Sequence, residues 1–366
     1  MSFIGIGTAV LDRMTRVRRL SILFIAPYGG LGGSENVLVN VLERLDERFA
    51  PRVLVLEEGP LAARIDALGI PVEIQHLPGK RGVLSFPRAA RAPAGPVDVI
   101  HANGGKAAVF GLAVARRLRA PLIWMKHDHS YDGRPSRALA ARCAHVVCVS
   151  HAMARQFASL GDRVSVVYPG VALRDLPPVE QTRPRIASIG RLDPYKGFDE
   201  VLRAAARLGA EVRIAGPPDR IHPEVEGELK RLADELGIGA EHVGWADDLD
   251  AVYADARVVV LAAKPKGVDG APGEGAPLVL MEAMGAGRPV VATDQPGIAE
   301  VVGDGGSLVA VPDAGSLAAA LRPYLEDPRL AAETAARGRA RVEREMTLER
   351  TIERLSALYL RLAAIP

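Results

Sequence analysis

Residues 20–49 read LSILFIAPYGGLGGSENVLVNVLERLDERF. Seven almost wholly apolar residues run into a glycine-rich turn, and apolar side chains then return at helical spacing. An apolar run without alternation is what a strand covered on both faces requires, and such strands belong to parallel sheets flanked by helices. The unit recurs. PRVLVLEEG (51–59), VDVIHANGG (97–105), APLIWMKHD (120–128) and AHVVCVSHA (144–152) are short apolar runs ending in polar residues or glycine, most with helix-like segments behind them. A second series starts at RPRIASIG (183–190) and continues through AEVRIAGPP (210–218), ARVVVLAAKP (256–265), RPVVATDQPG (288–297) and GSLVAVPD (306–313). Strands alternating with helices predict parallel doubly wound sheets, and two series predict two such domains. The seam falls at YPGVALRDLPPVEQTRP (168–184), where prolines break the periodicity and little could pack. A cleft between two such domains is the default place for a ligand.

Composition agrees with that frame. A chain of 366 residues exceeds the size at which a single core stops growing. With 48% hydrophobic, 25% charged and 4% aromatic residues, a globular protein built mainly from aliphatic packing is expected rather than a disordered chain. Cys143 and Cys148 share one apolar stretch, which argues against a secreted disulfide framework and for a reducing cytoplasm. At the N-terminus the basic cluster follows the apolar part, the reverse of a secretory signal, so residues 1–17 are expected to be an extension. No run reaches the roughly 20 apolar residues that cross a bilayer, so a soluble or membrane-peripheral protein is expected. Residues 1–172 carry 22 Lys and Arg against 13 Asp and Glu, a balance of +9; residues 173–366 carry 24 against 31, a balance of −7. A basic first half is either an accident of surface composition or a face that meets something anionic.

Two carboxylates carry the functional question. In EGAPLVLMEAMGAG (274–287), Glu274 precedes a helix start and Glu282 lies about one turn into that helix, above Leu278. The segment follows a strand, at the carboxyl end of a sheet where open α/β folds bind ligands. Amides at a helix start suit an anion such as a diphosphate. A carboxylate beside that anion then needs donors of its own, and the vicinal hydroxyls of a sugar or ribose supply them. From two glutamates alone, an exposed loop acid and a helix-surface acid are the simpler account. KHDHS (126–130) offers His127 and His129 without an evident third metal ligand nearby in sequence. Ser150 precedes a helix and is expected to cap it. His101, Asn103 and Lys106 follow a strand and could touch an acceptor. Asp248 and Asp250 form the chain's D-x-D, but at a helix start, where acids cap the helix and offset its dipole; no metal is expected there.

EGAPLVLMEAMGAGRPVVATDQPGIAEVV, with GRLDPYKG upstream, resembles the C-terminal signature of retaining glycosyltransferases of the GT-B fold, family 4. APYGGLGGSENVLVNVL resembles the first glycine loop of that family, VSHAMARQF an N-domain helix start, VVYPGVAL the domain junction and TLERTIERLSALYLRL the terminal helix that crosses back. The fold the resemblance implies is α/β, two Rossmann-like doubly wound domains facing each other across a cleft. Residues 18–172 then form the acceptor-side domain, 173–345 the donor-side domain and 346–366 the crossing helix. By the same resemblance Arg191 and Lys196 contact the donor diphosphate, Glu282 the ribose, Glu274 the transferred sugar, and the backbone from Gly275 through Ala276 and Pro277 to Leu278 lies against the sugar and phosphate, with N–H groups around Ala276 and Leu278 facing them. Gly32 and Gly33 let backbone approach diphosphate or acceptor. His127, with His129 as alternative, lies near the reacting carbon and the C6 hydroxyl.

The activity implied is metal-independent transfer from a nucleoside-diphosphate sugar, a UDP- or GDP-sugar, to a hydroxyl of a glycan, lipid-linked or natural-product acceptor. Such enzymes react on one face of the sugar without the nucleophile of retaining hydrolases. No cofactor beyond the donor and no nucleic-acid partner is expected. Lys80, Arg81, Arg88 and Arg91, with Arg116, Arg117 and Arg119 on a nearby helix end, make an anionic acceptor or an anionic membrane surface the candidate partner. A nucleotide-sugar 2-epimerase and a non-catalytic nucleotide-sugar sensor share the architecture as alternatives. The loop before Glu274 is longer than is usual in the family.

Overall fold

A computed structural model describes residues 18–76, 93–130, 132–246, 248–268 and 273–364. The N-terminal extension and the basic residues Lys80, Arg81, Arg88 and Arg91 lie outside the described residues, as do positions 269–272 of the loop before Glu274.

The first domain contains β1 (Leu20–Ala26), α1 (Gly33–Arg44), β2 (Phe49–Val55), α2 (Pro60–Asp66), β3 (Val72–Ile74), β4 (Val99–Asn103), α3 (Gly105–Leu118), β5 (Leu122–Lys126), α4 (Arg134–Ala140), β6 (His145–Cys148), α5 (His151–Ala154) and β7 (Val164–Val166). Its strands are parallel throughout, in the order β3-β2-β1-β4-β5-β6-β7. β1, β4, β5 and β6 are the apolar runs read from the sequence, and all but the first two residues of β1 are buried.

The second domain follows the same plan with β8 (Arg185–Ile189), α6 (Phe198–Leu208), β9 (Glu211–Ala215), α7 (Glu224–Glu235), β10 (Val243–Gly244), α8 (Leu249–Asp255), β11 (Val258–Leu261), α9 (Leu278–Gly285), β12 (Val290–Thr293), α10 (Pro296–Val302), β13 (Gly306–Val309), α11 (Ala314–Glu326) and α12 (Pro328–Glu345). Its strand order is β10-β9-β8-β11-β12-β13, again parallel. Numbered from its own first strand this is the 3-2-1-4-5-6 order of a Rossmann fold, and the first sheet has that order plus one strand. The order in which strands are added reverses between β1 and β4 in one sheet and between β8 and β11 in the other. Loops leaving those strands open a crevice, which is where α/β sheets take ligands.

α13 (Leu348–Ala363) returns to the first domain. Leu355, Leu358, Tyr359 and Leu362 join the core built on β1, β4 and β5, beside Phe24 and Phe49. The connecting segment packs more closely than its prolines suggest. Tyr168, Val171, Val179 and Thr182 are buried. Val171 donates to the Met346 carbonyl and receives from the Leu348 amide, and Thr351 Oγ1 donates to the Tyr168 carbonyl at 2.9 Å. A Cβ on Gly170 would lie 2.6 Å from Leu348 Cα. The two crossings between domains are thus one paired unit, and the expectation that residues 168–184 pack little is corrected.

Candidate active site

Each sheet sends its switch-point loops toward the other. From β8 come Arg191 and Lys196. Arg191 is half exposed, but two buried carboxylates hold it: Nε donates to Asp219 at 2.6 Å and Nη2 to Asp193 at 3.1 Å. Gly197, at φ +70°, ends this loop where a Cβ would overlap the Ala262 carbonyl, so only glycine lets it pass β11. From β11 comes the loop with Glu274. Lys196 Nζ donates to Glu274 Oε1 at 2.6 Å, with both side chains about one-fifth exposed. The cation and the carboxylate that the resemblance assigns to diphosphate and sugar are therefore neighbours, 78 positions apart in sequence.

That second loop is fixed on several sides. Gln295 Nε2 donates to the carbonyls of Ala263 and Lys264, and the Lys264 amide donates to the Tyr195 carbonyl at 2.8 Å. A Cβ on Gly297, in the first turn of α10, would lie 2.7 Å from the Glu274 carbonyl oxygen. Across the cleft Gly275 rests on the first domain, where a Cβ would overlap the His127 carbonyl and lie 2.7 Å from Met153 Cε. α1 and α9 begin opposite each other: a Cβ on Gly33 would be 3.8 Å from Leu278 Cδ1. Two helix N-termini, each with a partial positive charge, are thus brought near each other.

The α1 terminus carries an acid that the sequence reading passed over. Glu35 is 4% exposed and accepts from Ser34 Oγ at 2.9 Å and from the Gly32 amide, the N3-to-N-cap half of a capping box. Burial raises its carboxyl above the usual range, and the Arg191 charge works against that rise. In this state the Gly32 amide serves Glu35 rather than a ligand.

Glu282 lies in the first turns of α9 with its carboxylate in a largely buried setting. Tyr253 Oη donates to Oε2 at 2.9 Å, and the Arg174 guanidinium stacks over the Tyr253 ring at 4.9 Å. Burial raises the Glu282 carboxyl above its ordinary range, countered by the Arg174 charge and the tyrosine bond. Arg174, from the segment between the domains, also donates to Asp250 at 2.5 Å. The D-x-D is accounted for by that pair and by Asp248, whose carboxylate caps α8 through the amides of Asp250 and Ala251.

His127 follows β5 and is partly exposed. Its Nε2 is 2.6 Å from Asn103 Oδ1, and Asn103 Nδ2 donates to the Ser34 carbonyl at 3.1 Å. Burial holds the imidazole down to about 4, so it is neutral at pH 7. His129 instead faces Asp132, at 2.8 Å, in a cluster with Lys126 and, from the second domain, Lys266 at 2.5 Å. The expectation that His101 faces an acceptor is corrected: it is 2% exposed, points into the core, and its Nδ1 is 2.7 Å from Tyr359 Oη on α13. Asn103 is likewise buried, while Lys106 donates to the Pro27 carbonyl at 3.3 Å over the Tyr28 ring. Ser150 caps α5 by accepting from the Met153 amide, as read. Arg116 and Arg117 occupy the last turn of α3 and Arg119 its left-handed C-cap.

Residues 173–341 match the profile described as glycosyl transferases group 1, and residues 31–175 match that of glycosyltransferase family 4. The D-inositol 3-phosphate glycosyltransferase of Mycobacterium marinum is 30% identical over 357 residues, covering 86% of this chain and 73% of that protein. The chain belongs to glycosyltransferase family 4. It is a glycosyltransferase, and its two domains form the GT-B fold. The corresponding enzyme of Mycolicibacterium paratuberculosis is 28% identical over 355 residues, 86% of this chain and 78% of its own. Among solved structures, Anabaena HepE in complex with UDP and glucose superimposes with a TM-score of 0.77 at 22% identity, over 94% of this chain and all of that one.

The residues missed from sequence are those that hold the expected ones: Asp193 and Asp219 on Arg191, Tyr253 and Arg174 around Glu282, and Glu35 at the glycine loop; Asn103, read as an acceptor contact, instead holds His127. Only Glu35 carried a local signal, its position three residues after the N-cap glycine.

Proposed function

We propose that this glycosyltransferase transfers a sugar from a nucleoside-diphosphate sugar to an acceptor hydroxyl with retention at the anomeric carbon. The observation that carries the reading is the Lys196–Glu274 pair beside the facing N-termini of α1 and α9. A diphosphate entering there replaces Glu274 as the partner of Lys196 and meets two helix dipoles, which frees the carboxylate for sugar hydroxyls. Glu282, with one oxygen held by Tyr253, offers the other to the ribose. Arg191, fixed by Asp193 and Asp219, presents the rest of its guanidinium.

As the bond from the anomeric carbon to the phosphate oxygen breaks, negative charge grows on the diphosphate. Arg191, Lys196 and the helix amides compensate it in place, without a divalent ion. The acceptor oxygen bonds to the same face of that carbon, and its proton passes to the departing phosphate oxygen. Glu274 binds and does not act as nucleophile or base.

A UDP- or GDP-sugar is the donor class, and UDP and glucose bound to HepE favour the uridine form. The phosphorylated acceptor named for the mycobacterial relatives, with the basic balance of residues 1–172, favours an anionic acceptor or an anionic membrane surface beside the first domain. No helix among the described residues is long and apolar enough to cross a membrane. The test is a panel of nucleotide sugars with and without EDTA, read by nucleotide release and by the anomeric configuration of the product. Inversion, or transfer that EDTA abolishes and Mn²⁺ restores, refutes the mechanism.

A further inference from the structure

We propose that Asn103 is a positioning residue: it fixes His127, the histidine that the family places near the donor sugar, in one tautomer and ties it to the glycine loop, leaving Nδ1 of His127 as a hydrogen-bond acceptor. Asn103 ends β4 and is 1% exposed, so its amide must be satisfied internally. Nδ2 donates to the Ser34 carbonyl, in the first turn of α1, and Oδ1 faces His127 Nε2. Turned over, the amide would set Oδ1 against the Ser34 oxygen, acceptor against acceptor. The amide orientation is therefore forced, and Nε2 of His127 carries the proton. A neutral imidazole with Nε2 protonated keeps a lone pair on Nδ1. His127 also touches Gly275 through its carbonyl, one residue from Glu274. Three loops, those after β1, β4 and β5, thus become one unit at the border of the sugar-binding loop. The identity of the ligand as a sugar hydroxyl rests on the proposed function; the tautomer does not.

Long-range ¹H–¹⁵N NMR of the imidazoles in the full chain tests it without substrate, the His127 signal being assigned by its loss in His127→Gln. A single Nε2–H tautomer at pH 7 is expected, and an Nδ1–H or mixed population overturns the proposal whatever the variants do. In Asn103→Ala the imidazole should become a tautomer mixture and donor kcat/KM should fall roughly tenfold or more, the scale of losing a group that orients a ligand. A change under twofold in a folded Asn103→Ala overturns the positioning role. Asn103→Asp keeps the acceptor for Nε2–H and adds a charge, alongside Asp128 next in the chain and the neutral His101 of β4. It should protonate Nδ1 near neutral pH, giving an acid limb in transfer that recovers as pH rises. An enzyme with the expected tautomer that turns over no nucleotide sugar sinks the functional reading instead.

Discussion

Replacing Lys196 with alanine separates stability from catalysis. The ion pair with Glu274 is short, but both side chains are about one-fifth exposed, so water remains at hand for the carboxylate left behind. Pairs in such settings contribute about 1 kcal/mol or less. For domains of this size that is a melting shift of roughly 2–4 °C. The same ammonium is asked to neutralise charge that appears only as the diphosphate leaves. Losing one preorganised group of that kind costs about 10²–10³ in turnover, roughly 2.7–4 kcal/mol. Lys196→Ala should therefore melt almost where the parent does while kcat collapses and donor KM changes less. Glu274→Gln alone should act mainly through sugar recognition. In the double variant the two losses should fail to add, since each single change leaves the other partner without its counter-charge. The assay is a thermal melt beside initial rates with a saturating and a limiting donor series. If Lys196→Ala keeps turnover within tenfold of the parent, or loses it only in proportion to a large drop in melting temperature, the leaving-group role is wrong.

Four further outcomes follow from the same geometry. Arg191→Lys should not restore activity, because a lysine cannot span both Asp193 and Asp219 while facing the donor; kcat/KM within threefold of the parent would refute this. Tyr253→Phe removes the donor to Glu282 and should weaken nucleoside-diphosphate binding by about 1 kcal/mol or more, read by calorimetry. Gly275→Ala should push the loop off the His127 carbonyl and cost most of the activity without unfolding either domain, as checked by rates and circular dichroism. On acidification the buried histidines should destabilise the fold. Burial depresses His101 to about 3 and His127 and His145 to about 4, below the ordinary 6.5. Their contribution is whole above pH 6.5 and shrinks as pH falls toward those values, by about 2 kcal/mol for each at pH 5. Glu35 and Glu282, raised by burial, act in the opposite sense nearer the carboxylate range. Denaturant melts at pH 5 and pH 7.5 with equal midpoints would contradict the assignment.

The parts of the fold legible in the sequence are those encoded by neighbours in the chain. An apolar run such as ILFIA can be buried on both faces only in a covered sheet, so both sheets follow from local pattern. Glu282 at a helix start after a strand is local too. What escaped reading depends on partners that meet only after folding. Tyr253 reaches Glu282 from 29 positions away, and Tyr359 reaches His101 from 258. His101 shows why a strand-end polar residue is ambiguous: one step along a strand reverses the side chain, so Asn103 and His101 share a face, yet His101 meets Tyr359 of α13 while Asn103, two residues further along β4, meets His127 and Ser34. The connecting segment misled for another reason. Prolines forbid helix and ladder, but they do not forbid burial against a partner segment, and the second crossing at residues 346–348 supplies one.

The stretch that holds the Glu274 loop also grips the first domain. Glu300, on α10, accepts from the amides of His151 at 2.6 Å and Ala152 at 2.8 Å, so an acid of the second domain caps the start of α5 in the first. Tyr168 Oη donates to it at 2.7 Å from the connecting segment, and Arg341 on α12 donates to its carbonyl at 2.6 Å. One turn earlier in α10, Gly297 presses on the carbonyl of Glu274, and Gly275 presses in turn on His127. α10 therefore links the contact with the first domain at Glu300 to the Glu274 loop at Gly297. If the domains part at the Glu300 contact, Glu274 is expected to leave His127 in the same movement, which chemical cross-linking between the Glu274 loop and the His127 loop with and without nucleoside diphosphate would check.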